Sequence, residues 1–143
     1  MVLILKIGGY SMKIGRYLKK NFKIWDIDPP VKDFFVEKID WNSSGLEIIL
    51  EEYSEDRTKV KLLFENMVYS YTVTEEGYKP SVWISRQQQF YPFYYSYRTK
   101  EIERFCKDLE YIRVDILHFL IIGIDFVIDV FTNEFPSIEK LDS

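Results

Sequence analysis

A chain of 143 residues, 47% apolar and 17% aromatic, suits one domain, 1–143, able to bury its own core without a disulfide or a metal. The lone cysteine, Cys106, excludes an intrachain disulfide and fits a reducing compartment. No apolar run nears the roughly 20 residues of a membrane span, and the opening run stops at Lys6, so the reading is a soluble, cytoplasmic protein.

Net charge is −4, but it is unevenly spread. Six basic residues (Lys6, Lys13, Arg16, Lys19, Lys20 and Lys23) precede the first acid, Asp26, and the remainder carries 13 basic against 23 acidic residues. Such an acidic body argues against direct nucleic-acid binding, which rests on neutralising phosphates. It suits a basic protein partner, and it also serves solubility.

In chain order, Val2–Ile7 reads as a short strand closed by Gly8 and Gly9. Ser11 offers a helix N-cap, and Ile14, Tyr17, Leu18 and Phe22 follow at helical spacing. Asp28-Pro29-Pro30 breaks the chain. Imperfect alternation predicts a strand over Asp33–Trp41, and Asn42–Gly45 is a turn. Leu46, Ile48 and Leu50, then Val60, Leu62 and Phe64, mark two strands about a turn at Ser54–Arg57. Met67–Val73 reads as another strand, or as the far half of one long bent strand, before Glu75-Glu76-Gly77, making an antiparallel meander.

Val82–Ser85 and Phe90–Tyr95 are further strand candidates. The period then changes. Ile102, Phe105, Cys106 and Leu109 predict an amphipathic helix beginning near Ser96 or Thr99. Val114–Ile122 and Phe126–Phe131 predict a closing hairpin about Gly123-Ile124-Asp125, with a frayed acidic tail after Pro136. The expected class is α+β: a mainly antiparallel sheet, built of meander plus C-terminal hairpin, with about two helices on one face. Ile102, Phe105 and Leu109 should pack on the face formed by Leu46, Ile48, Leu50, Val60, Leu62 and Phe64.

Chemical motifs are sparse. In GGYSMKIG, Lys13 precedes the last glycine, and no Ser or Thr takes the magnesium position, so a glycine turn outweighs a phosphate loop. His118 is the sole histidine, which leaves no ligand set for structural zinc, so neither metal nor cofactor is expected. Cys106 and His118 both sit in apolar contexts, as small core residues do, so no catalytic residue is assigned. Asp125 and Asp129 share strand parity. Asp125 suits a turn where it bonds the backbone, and Asp129 a bond to a neighbouring strand or a basic residue. Asp115 joins them only in a register that the sequence leaves open.

The stretch QQQFYPFYYSY (87–97) is the most aromatic part of the chain. Pro92 places it at a sheet edge or beside a bulge. Aromatics of both parities leave two uses open: core, with the tyrosines over the helix joint, or a tyrosine-rich interface.

The stretch DILHFLIIGIDFVIDVFTNEFP combines a strand bearing H-x-L-I, a turn with Asp, then V-I-D-V and a proline, after an amphipathic helix. It resembles small bacterial proteins encoded beside polymorphic-toxin genes in clusters of immunity proteins. The resemblance covers Ser96–Pro136 and, more loosely, the meander before it. It implies a non-catalytic cytoplasmic binding protein that neutralises a cognate toxin stoichiometrically, and it transfers no functional residue. On that reading the protein-binding candidates are the acidic turns, Glu51, Glu52, Glu55, Asp56, Glu75 and Glu76, facing a toxin domain with a basic surface. Tyr94, Tyr95 and Tyr97 would be the anchors. The alternative is a small-molecule domain with a pocket walled by Trp83 and the tyrosines. An enzyme ranks third.

Overall fold

The computed structural model describes residues 5–7, 10–12, 22–75, 92–97, 99–108 and 116–141. The elements are β1 (Leu5–Ile7), β2 (Tyr10–Met12), β3 (Lys23–Ile24), β4 (Phe34–Asn42), β5 (Gly45–Glu52), β6 (Lys59–Phe64), β7 (Val68–Glu75) and β8 (Phe93–Ser96). They continue with the helix α1 (Lys100–Asp108), β9 (Leu117–Ile122), β10 (Phe126–Thr132) and β11 (Ser137–Leu141). All strand pairs are antiparallel. One sheet runs β3-β8-β9-β10-β7 and a second β11-β6-β5-β4, beside a small β1-β2 hairpin.

The chain is therefore mainly β, with one short helix among the described residues in place of the expected two. Ser11, expected as an N-cap, instead pairs with Lys6 in the β1-β2 hairpin. Positions 13–21 of that expected helix, the strand expected at Val82–Ser85, and Leu109 lie outside the described residues.

Alternation builds the second sheet. Leu46, Ile48 and Leu50 of β5 and Val60, Leu62 and Phe64 of β6 are all buried on one face. The other face carries Lys38–Glu47, Lys59–Glu37 and Lys61–Glu139 ion pairs and meets solvent. The hairpin β4-β5 turns at Ser43-Ser44, where Asn42 Oδ1 accepts the Ser44 N–H at 2.7 Å. Gly45 follows at φ 123°, and a Cβ there would collide with the Phe64 carbonyl oxygen, so only glycine suits both backbone and space.

The apolar face of that sheet is covered by the other sheet, not by the helix. Phe93, Leu117, Phe119, Ile121, Ile128 and Val130 join Leu46, Ile48, Leu50, Val60, Leu62 and Phe64 in one buried cluster, with Trp25 and Phe34. Phe119 meets Phe64 edge-on at 5.3 Å. Ile102 is buried and Phe105 half-buried, but both belong on the far side of the five-stranded sheet, where Phe105 meets Phe131 at 5.3 Å and Tyr69 at 6.2 Å. Two apolar faces of matched width bury more area against each other than either would under a nine-residue helix.

The meander also ends sooner than expected. β4, β5 and β6 are consecutive neighbours, but β7 crosses to the other sheet and pairs with β10. Its place beside β6 is taken by β11, the tail expected to fray. Ile138 of β11 pairs with Leu62 and packs on the core, while Glu139 pairs with Lys61. Ser137–Leu141 has no apolar–polar alternation, its apolar Ile138 and Leu141 being three apart, and it becomes a strand by pairing with the open edge of β6. Thr132 Oγ1 donates to the Met67 carbonyl at 2.7 Å, and Asn66 donates to Glu134, tying the two crossovers together.

The C-terminal hairpin forms as expected, β9 against β10 with Asp129 opposite Leu120. Its turn reaches the other sheet. Asp125 Oδ1 accepts from its neighbour Phe126 N–H at 2.9 Å and from Val36 N–H at 3.1 Å, and Ile124 N–H donates to the Phe34 carbonyl at 2.8 Å. The start of edge strand β4 is thereby paired, and its bulge between Val36 and Lys38 sits beside that contact.

Burial ranks two aromatic truncations. Phe119→Ala, at the centre of the inter-sheet core, should cost about 3–5 kcal/mol in denaturant unfolding. Phe105→Ala, half-exposed on the helix, should cost about 1–2 kcal/mol. Equal losses would mean that α1 shares the main core.

Candidate functional site

Two constellations stand out, one buried and one exposed. The buried one begins in β9. Leu117, Phe119 and Ile121 point to the inter-sheet core, so His118, Leu120 and Ile122 point to the opposite face. His118 is 1% exposed there, with Phe22 and Phe131 edge-on at 5.1 and 4.8 Å. Its Nε2 lies 2.6 Å from Asp129 Oδ1 on β10 and its Nδ1 lies 2.9 Å from Thr99 Oγ1. Thr99 is the N-cap of α1: its hydroxyl oxygen accepts the Ile102 N–H at 3.1 Å and its carbonyl the Glu103 N–H.

Hydroxyl, imidazole and carboxylate in series is the constellation of a nucleophilic hydrolase. Here it is closed to substrate. Thr99 is 2% exposed and Asp129 8% exposed, and the hydroxyl already serves the helix cap. The chemistry it performs is to satisfy three buried polar groups and to seat α1 on the sheet. Asp129 thus bonds a neighbouring strand, as its position suggested, while Asp125 serves its turn and β4. The two carboxylates do not meet at one site. Cys106 is half-buried on α1 and has no part in the chain of hydrogen bonds. Asp115 lies outside the described residues.

The exposed constellation lies at the β5-β6 turn. Glu51 and Glu52 end β5 half-buried, and Glu55 and Asp56 are exposed. Between them Tyr53 is 73% exposed, its ring 5.8 Å from that of Phe35, which is 38% exposed, at 84°. Tyr53 N–H donates to the Asp33 carbonyl at 2.7 Å, and Glu52 N–H to that of Thr58 at 2.8 Å, so the turn is fastened at both shoulders. Arg57 takes φ 48°, a left-handed turn conformation. Lys59 donates to Glu37 Oε1 at 2.8 Å, and that bond, aided by Glu37 and Glu51 charge, holds its pKa above the ordinary lysine value. A raised lysine pKa contributes stability that is lost only as pH climbs through it, in strong alkali, so the pair is constant near neutrality.

Topology brings Glu75 to the same end of the sandwich. Glu75 pairs with Phe126, whose neighbour Asp125 bonds Val36, and Phe34 and Phe35 pair with Glu52 and Glu51. Glu76 lies outside the described residues. The tyrosines do not gather with these acids. Tyr94 is 6% exposed and packs with Leu120, Ile122 and Val127, so it is core and is corrected as an anchor. Tyr95 is half-buried against Phe119 and Phe135. Tyr97 is exposed, but Ser96 pairs with His118, which places it at the opposite end of β9 from the Gly123 turn. The described part of YPFYYSY is therefore mostly core. Pro92 accordingly precedes the strand, its carbonyl accepting the Ile122 N–H at 2.8 Å.

Tyr53 is the residue that sequence reasoning missed. Its signal was present: an aromatic inside EEYSED, in a turn where nothing in the strand pattern requires one. Trp83, proposed to wall a pocket, lies outside the described residues. No protein-family model, no curated protein and no solved structure matches the chain.

The two tyrosines should behave oppositely. Tyr94→Ala should lower free-protein stability by about 3 kcal/mol or more, as a buried aromatic truncation does. Tyr53→Ala should change it by no more than about 0.5 kcal/mol. Thermal melts of the two variants decide it.

Proposed function

We propose that this chain is a non-catalytic protein-binding module of the toxin-immunity type, which neutralises a toxin domain with a basic surface by stoichiometric binding. The observation that carries the reading is the solvent-facing Tyr53–Phe35 pair set among Glu51, Glu52, Glu55 and Asp56. Exposed tyrosine on a second ring offers contact area with a polar tip, and the surrounding carboxylates select a basic partner. The turn is held by backbone bonds at both shoulders, so little order is lost on docking. The one hydroxyl–imidazole–carboxylate series among the described residues is spent on internal structure, which favours binding over turnover.

Association and dissociation should separate. Charge reversal at Glu55 and Asp56 should slow association with the partner captured from the native strain, and added salt should do the same, since exposed charges are screened over about 8 Å at physiological ionic strength. Tyr53→Ala should instead speed dissociation by roughly 30-fold, the equivalent of about 2 kcal/mol at a hot spot. Unchanged rates in both variants would move the interface elsewhere, and turnover by the isolated chain that is lost in Thr99→Val would replace binding by catalysis.

A further inference from the structure

The hydrogen bonds around His118 have a direction. Among the described residues the Thr99 hydroxyl has two partners, Ile102 N–H and His118 Nδ1. The amide can only donate, so it occupies a lone pair of Oγ1. The hydroxyl proton then has one acceptor within reach, Nδ1. With Nδ1 accepting, the ring carries its proton on Nε2, which donates to Asp129 Oδ1 at 2.6 Å. Thr99 and His118 each accept once and donate once, the Ile102 amide starts the series as a donor, and the Asp129 carboxylate ends it as an acceptor.

We infer that this one-way chain, from the Ile102 amide through Thr99 and His118 to Asp129, is the latch that fastens the N-terminus of α1 to the five-stranded sheet, and that α1 opens as a unit when the latch is released. Among the described residues, α1 is otherwise seated by apolar packing. Ile102 is buried and Phe105 half-buried against Phe131 and Tyr69, whereas Glu103, Arg104 and Lys107 face solvent. One carboxylate oxygen of Glu101 is buried and has no hydrogen-bond partner among the described residues, which weakens the seat. A nine-residue helix whose described residues include one buried apolar side chain opens below the cost of unfolding the sheets.

The polarity of the chain explains its strength. Unsatisfied N–H groups make a helix N-terminus electropositive, and a run of hydrogen bonds polarised in one sense carries that influence to the far end. Asp129 is the negative end of the run. The other groups beside the ring are the Phe22 and Phe131 edges and, on β8, Ser96 in register with His118. Asp129 is thus the one carboxylate facing the imidazole among the described residues. It would equally accept from a doubly protonated ring, but Nδ1–H would then leave the Thr99 proton, 2% exposed, without an acceptor.

Nitrogen-15 spectra of the imidazole near neutral pH, with amide hydrogen exchange of the same protein, test both halves. The expected spectrum shows Nε2 protonated and Nδ1 bare. Thr99→Val, which keeps shape and loses the hydroxyl, should shift the Nδ1 resonance and speed exchange of the α1 amides about tenfold over those of β5 and β6, the size expected for loss of a cap and its partner. Thr99→Ser, which keeps the hydroxyl, should restore both. A protonated Nδ1 in the native protein overturns the direction of the chain. Exchange of α1 in step with β5 and β6 in the native protein overturns the latch, and that result needs no variant to fold.

Discussion

Strand β9 is buried on both faces, and the architecture follows from that constraint. Leu117, Phe119 and Ile121 fill the space between the sheets, while His118, Leu120 and Ile122 fill the space on the other side. A strand without a wet face needs a layer on each side. The second sheet supplies one layer. On the other side α1 and Phe22 close over His118, with Phe131 beside the ring on β10, and Phe22 also packs against Leu120 and Ile122, whose neighbours in the sheet are Tyr94 and Val127. A polar ring in such a strand must be fully bonded, and the Thr99 and Asp129 partners meet that need at the point where the helix begins.

The same constraint separates the two candidate sites. What resembles catalytic apparatus lies in the most buried strand, and its reactive atoms face one another. What can reach a partner lies on the four-stranded sheet, whose outer face is charged and whose β5-β6 turn projects Tyr53. That turn is rigid because its ends belong to a ladder and to Asp33, and Asp125 anchors the neighbouring strand from across the sandwich. Backbone bonds thus tie this end of the sandwich together, and Tyr53, Glu55 and Asp56 remain exposed there.

Local patterns were readable in the sequence wherever one side of a strand was wet. Leu46–Leu50 and Val60–Phe64 alternate because one face meets solvent, and both strands formed in that register. The β9-β10 hairpin and the α1 helix were legible too, from β-branched runs about Gly123 and from the spacing of Ile102 and Phe105. What covers what was not legible. The helix and the second sheet offer the same kind of apolar face, and only the completed topology shows that the sheet takes the larger area. β11 was missed because its five residues do not alternate and become a strand only beside the open edge of β6. The stretch YPFYYSY left core and interface both open because its aromatics fall on both parities, and the core use is explained by β8 lying inside its sheet between β3 and β9. Tyr53, a single aromatic in a polar turn, was the quieter signal of an exposed ring.

The toxin-immunity reading places recognition at one end of the sandwich. An amide-exchange footprint of the complex with its captured partner tests that placement most directly. The account predicts protection concentrated at residues 51–57 and at the start of β4 around Phe35, with the far end at Trp41 and Tyr97 unchanged. Protection confined to the Trp41 and Tyr97 end, with the Tyr53 turn exchanging as in the free protein, would contradict it.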